Sequence, residues 1–347
     1  MRRPGTPEPG GRSVPALVLT ALVLAATAAC SAPGDASPAR PTATSTPTAS
    51  AAPLPQDVLA GLRVEVRQSR TERAARVVQV AVHNDGTTDL EVVEARLASP
   101  TVEGVAVSED GRRAPAGTRR DVPVALGDPV CDAGVAATAG GGAPADADDE
   151  TGSSSAASGA GGAAAAADAG AVTVRLEVVD AAGRRGTLEV SPEDPNGHLA
   201  RIHGEDCAAV AVVRGATLAL GPRLATRQEP DGRWVGTVEL TLTPRPGGPE
   251  VVVDAVERTV LLDPAAGGPQ WTAALSTAPD GARTVGLDVV PARCDPHAVA
   301  EDKRGTAFGV RAHVDGVAQP VFHVTADDAL RGLVHDFVAL ACGWPAS

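Results

Sequence analysis

His297 and Glu301 stand one helical turn apart, and a histidine and a carboxylate at that spacing can share a metal ion or pass a proton. Asp302 follows directly, and His313, His323 and His335 come further along the chain. An i,i+4 pair supplies two ligands where transition-metal sites need three or four. His313 and His323, expected on consecutive strands, would have to face each other and the pair to complete a site. The same residues also make an ordinary capped turn, in which Asp295 caps a short helix and Pro296 takes its first position. The capped turn is the leading reading, and a metal- or small-ligand site at His297 and Glu301 is the alternative. Neither a metal nor a cofactor is expected.

Other reactive patterns are missing. The chain has no GxSxG nucleophile elbow, no HExxH and no P-loop. Its adjacent carboxylates, Glu193-Asp194 and Asp327-Asp328, fall in turns or helix starts, where capping and solvation account for them. Asp146, Asp148, Asp149 and Glu150 could hold cations loosely but lack the spacing of a calcium loop. No catalytic residue is assigned, and the chain is not expected to be an enzyme.

Five cysteines are present. Setting Cys30 aside leaves Cys131, Cys207, Cys294 and Cys342, an even number with no CxxC spacing, which suggests two structural disulfides outside the cytoplasm. A weak internal duplication selects the pairing. Val122-Pro123-Val124 leads to Cys131, and Leu287-Asp288-Val289 leads to Cys294. Each cysteine is followed by a strand containing Val-Arg, a hairpin partner, an acidic turn, a helical pattern and a second cysteine. That order pairs Cys131 with Cys207 and Cys294 with Cys342.

These cysteines have to be positioned by β-structure. Leu62 to Val66, Val78 to Val82, Val172 to Val178, Trp234 to Leu242 and Phe308 to Val314 all alternate apolar and polar side chains. Asn84-Asp85-Gly86 and Ala182-Gly183 punctuate them as turns. Leu330, Leu333, Val334, Phe337, Val338 and Ala341 instead follow helical spacing behind Asp327 and Asp328. The expected fold is mainly β: two tandem β-sandwich-like (Ig-like) domains, 58–213 and 214–347, each ending in a short helix. All six aromatic residues lie at or beyond Trp234, so the first core must be built on aliphatic side chains.

Two low-complexity stretches interrupt this pattern. Residues 30–57, rich in Pro, Ala, Ser and Thr, read as a disordered stalk that could reach about 80 Å if fully extended. Residues 136–170, with polyalanine and glycine and no large apolar side chain, read as an expanded loop inside the first domain.

The N-terminus reads as an export signal. Arg2, Arg3 and Arg12 precede an uncharged apolar run, Val14 to Ala29, too short to span a bilayer comfortably. The small residues Ala25-Ala26-Thr27-Ala28-Ala29 before Cys30 resemble a lipobox, which implies cleavage after residue 29 and a lipid on the Cys30 thiol. Thr27 stands where that signal usually has a larger aliphatic residue, so cleavage to a secreted protein is the alternative. Without residues 1–29 the chain has 27 Lys and Arg against 42 Asp and Glu, a formal charge of −15. So acidic a surface excludes nucleic acid as the expected partner.

The segment Cys294-Asp295-Pro296-His297-Ala298-Val299-Ala300-Glu301-Asp302-Lys303-Arg304-Gly305-Thr306 resembles uncharacterised predicted lipoproteins of actinobacteria, over the second repeat at best. Scarce lysine and absent tyrosine resemble the residue usage of their GC-rich genomes. The resemblance implies no activity and transfers no functional residue. The expectation is an envelope protein held by Cys30 on the outer face of the cytoplasmic membrane, binding a protein or cell-wall partner.

Overall fold

Alternating side chains become paired strands throughout the computed structural model, which describes residues 52–131, 171–279, 281–300 and 304–344. All of them belong to one compact unit, Ser50–Ser347. The export signal, the stalk up to residue 51, the whole of the expected 136–170 loop, and Glu301 and Asp302 lie outside the described residues.

The first half runs α1 (Gln56–Ala60), β1 (Leu62–Arg67), a 3-10 turn (Arg70–Glu72), β2 (Val77–Asn84), β3 (Leu90–Ala98), β4 (Val105–Ser108), β5 (Arg112–Ala114) and β6 (Thr118–Ala125). It continues with β7 (Thr173–Asp180), β8 (Arg185–Val190) and α2 (His198–Gly215). Strands pair antiparallel as β1-β2-β6 in one sheet and β4-β3-β7-β8 in the other, with β5 also on β3. Val64, Val66, Val78, Val80, Val122 and Val124 from the first sheet meet Val92, Leu97, Val174 and Leu176 from the second in one aliphatic core. Each such side chain, fully buried, stabilises by about 1.5–3 kcal/mol before entropy is counted.

The second half runs β9 (Ala216–Gln228), β10 (Trp234–Pro244), β11 (Val251–Glu257), β12 (Leu262–Pro264), β13 (Gln270–Ser276) and β14 (Arg283–Pro291). After it come α3 (Pro296–Ala300), β15 (Ala307–Val314), β16 (Val317–Ala318), β17 (Phe322–Thr325) and α4 (Asp328–Ala341). Its sheets are β12-β14-β10-β9 and β13-β11-β15-β16, with β17 also on β15. The fold is therefore mainly β, with two sandwich-like groups of antiparallel sheets.

The duplication is visible in the strand order. β1, β2 and β6 correspond to β9, β10 and β14, while β3, β7 and β8 correspond to β11, β15 and β17. Even the irregularity recurs, since β3 shifts register between Val92 and Glu94 and β11 between Val253 and Ala255. One disulfide closes each half, Cys131 with Cys207 and Cys294 with Cys342, the pairing that the order of elements predicts.

The two long helices, α2 and α4, differ in use. α4 lays Leu330, Val334, Phe337 and Val338 onto the second core and leaves Leu333 exposed. α2 is shared, with Leu199 and Ile202 in the first core and Ala208 and Val212 in the second. At its end Gly215 is pressed against the β10–β11 turn, where an added Cβ would lie 2.3 Å from the Pro249 carbonyl oxygen.

The stalk stops short of the expected Asp57. Leu54 is buried, its amide donates to the Arg185 carbonyl at 2.8 Å, and Gln56 already begins α1. Leu54 escapes a composition argument because one apolar residue among prolines suffices to fill a gap beside Gly186.

Candidate functional site

Asp295 accepts from the His297 amide at 3.0 Å, so the start of α3 is capped as the sequence indicates. The His297 side chain is exposed. His313 lies on β15 opposite Ala318 and bonds Asp254 through Nδ1 at 2.7 Å, at the surface. His323 lies on β17 opposite Gly309. Four residues along β15 separate the two positions, roughly 13 Å at strand rise, so the expected facing of His313 and His323 does not occur. The register of β17, which only the pairing fixes, decides this. Among the described residues, His297, His313 and His323 form no group within ligating distance.

His323 has a different setting. It sits where α2 packs on β15 and β17, within electrostatic reach of Arg201 and Glu205. Burial pushes its pKa down to about 4, assisted by Arg304, Arg73 and Arg201 and opposed by Glu205. The ring is neutral across the physiological range. Arg201 reaches Glu205 at 2.8 Å, one turn along α2, and donates its other arm to Gln68 Oε1. Gln68 in turn donates to the Val77 carbonyl at 3.0 Å. Arg73, just past the 3-10 turn, has its Nε buried without a hydrogen-bond partner among the described residues. Burial first, then Arg201 and Arg304, lowers its pKa to about 10.

The first turn of α2 completes this seam. Asp194 accepts from the His198 and Leu199 amides at 2.8 and 2.9 Å, although Gly197 occupies the cap position proper. Burial lowers the His198 pKa, with Arg201 and Arg73 adding to it and Asp194 opposing. The seam offers hydrogen-bond donors and fixed positive charge, and burial favours the neutral form of both histidines.

Further along α2 stands a cluster that the sequence reading passed over. Cys131, His203 and Cys207 each offer an atom, and these atoms all lie within 4.8 Å of one another. His203 Nε2 donates to the Val130 carbonyl at 2.9 Å. In the disulfide the sulfurs are not metal ligands. The signal in the sequence is the His203/Cys207 spacing of four, which an even cysteine count masks by directing both cysteines to bridges.

Two open grooves mark the surface. One, of about 230 Å³, is lined by Leu224, Thr226, Leu333, Asp336, Phe337 and Leu340 between β9 and α4. The other, of about 360 Å³, lies along α2 at Ala209, Val210, Val213 and Arg214, with Arg245. Val213, Leu333 and Leu340 are exposed apolar side chains. Among the described residues no helix is long and apolar enough to cross a membrane.

No family model matches the chain, and no curated protein matches it. Among solved structures it is similar to the Amycolatopsis orientalis exo-chitosanase CsxA, at 13% identity over 76% of this chain and with a TM-score of 0.18. The match spans 26% of that enzyme's length. The chaperone YadV is similar at 12% identity over 77% of this chain and all of its own, with a TM-score of 0.17. A B domain of a biofilm associated protein is similar at 8% identity over 80% of this chain and 88% of that domain, with a TM-score of 0.20. Likeness at this level carries no argument about activity.

Proposed function

We propose that this chain is a lipid-anchored, extracytoplasmic protein of the cell envelope, non-enzymatic, whose tandem β-sandwiches present a binding or adaptor surface. One observation carries the reading. Four of the five cysteines are consumed in two disulfides, and the one left over, Cys30, closes the apolar export run. Disulfides of this kind persist in oxidising compartments. A cysteine placed after small residues at the end of such a run is suited to lipidation. The Pro- and Thr-rich segment behind it would hold the folded unit away from the membrane. The exposed Val213, Leu333 and Leu340 give that unit apolar surface of the kind that protein contacts use.

Globomycin treatment of cells expressing the full chain tests the anchor. An uncleaved precursor should accumulate, and Cys30→Ala should release the protein from the membrane fraction. A protein that stays soluble with no precursor would contradict the proposal. Incubating the purified folded unit with cell-wall fragments tests the non-enzymatic part, where sustained turnover would contradict it.

A further inference from the structure

The two disulfides differ in what stands beside them. Cys294–Cys342 has no third ligand among the described residues, whereas Cys131–Cys207 has a ring nitrogen of His203 within 4.8 Å of both sulfurs. His203 and Cys207 lie one turn apart on α2 and project from the same face of the helix. The Cα atoms of Cys131 and Cys207 are 5.5 Å apart. Two thiolates bound to one tetrahedral zinc at about 2.3 Å lie roughly 3.8 Å from each other, which side-chain rotation at that Cα spacing can reach. The Val130 carbonyl accepts from Nε2 of His203 and so fixes the tautomer whose lone pair is on Nδ1. A backbone acceptor behind a histidine is the usual outer support of a metal ligand.

We propose that Cys131, Cys207 and His203 form a zinc site in the dithiol form of the protein, so that the bridge on α2 is a redox-gated metal site. A dithiol reductant gives two electrons to the S–S bond. That bond breaks, the reductant closes its own disulfide, and its two protons end on the sulfurs of Cys131 and Cys207. Zinc then displaces both protons to solvent and takes the His203 lone pair. Two thiolates neutralise the ion, which suits a half-buried position, and the fourth position is left to water. Because the metal ties the same residues as the disulfide, α2 stays attached to the loop after β6 in both states.

The test uses the folded unit reduced by a phosphine under argon and titrated with cobalt(II), then displaced by zinc. The reduced protein should take up about one equivalent of cobalt with a thiolate charge-transfer band, and the oxidised protein none. Cys131→Ser/Cys207→Ser should abolish the band, and Cys294→Ser/Cys342→Ser should keep it. His203→Gln, which leaves both bridges free to form, should weaken binding about tenfold or more. If the reduced chain loses structure, zinc should restore its far-ultraviolet signal in the natural sequence and not in His203→Gln. A reduced protein without the band overturns the proposal. So does a band that survives unchanged without Cys131 and Cys207 or without His203.

Discussion

The two sandwiches repeat one strand order but fill it differently. In the first the core is Val, Leu, Ile and Ala throughout, while the second holds Trp271, Phe308, Phe322 and Phe337, with Trp234 packed beside them. Trp271 and Phe308 meet at 6.0 Å between ring centroids, and the indole donates to the Asp288 carbonyl at 2.7 Å. Large rings fill the space between sheets, and α4 covers the second core together with Val299 of α3 and Ala208 and Val212 of α2. The first core recruits α1, Leu54 and half of α2, whose other half belongs to the second core. The comparison teaches that one strand order can be filled either by aromatic rings or by aliphatic side chains alone, with helices outside the sheets closing both cores.

The largest effect should come from the bridges. In the chain-entropy model each disulfide is worth about 4 kcal/mol, since each closes a loop of many tens of residues. All three tryptophans lie in the second half, so their fluorescence follows that half alone, while far-ultraviolet dichroism follows both. In Cys131→Ser/Cys207→Ser the dichroic transition in urea should precede the fluorescence transition. In Cys294→Ser/Cys342→Ser the order should reverse. Coincident transitions in both variants would show that α2 couples the halves completely and would break the contrast.

The next effect concerns the seam. Burial holds His323 near pKa 4 in the folded state, against about 6.5 unfolded, so its contribution is fully present above pH 6.5. Between pH 6.5 and 4 the unfolded chain binds the proton more readily, and up to about 3 kcal/mol is lost. His323→Gln should flatten the fall in urea midpoint over that window. Parallel curves for the two proteins would place His323 in water.

Gly215→Ala should cost about 2 kcal/mol, because a Cβ there meets the Pro249 carbonyl at 2.3 Å and the α2–β9 junction must yield. An unchanged melting temperature would argue that the junction is loose. Smallest are the caps. Asp327→Ala, which frees one amide, and Asp194→Ala, which frees two, should each cost about 1 kcal/mol, with Asp194 the larger. Thermal melts of the pair would rank them.

Much of this was legible in the sequence. The alternation from Leu62 to Val66 and from Trp234 to Leu242 became β1 and β10 because one buried face per strand leaves a period of two. The helical spacing from Leu330 to Val338 became α4, capped by Asp327 through the Leu330 amide at 2.8 Å. The cysteine order gave the pairing because it followed the repeat of elements. What stayed hidden depended on contacts between distant segments. α2 has a weakly segregated apolar pattern because opposite ends serve different cores. Arg73 and Arg201 are 128 positions apart, and nothing local announces that the 3-10 turn meets α2. The His313/His323 expectation failed on register, which alternation alone leaves open.

The most direct measurement is an intact mass, without reduction, of the full-length gene product extracted from membranes. The account predicts a chain beginning at Cys30, heavier by a diacylglyceryl and acyl lipid, and lighter by the four hydrogens of two disulfides. A mature chain that starts elsewhere and carries no lipid would contradict it.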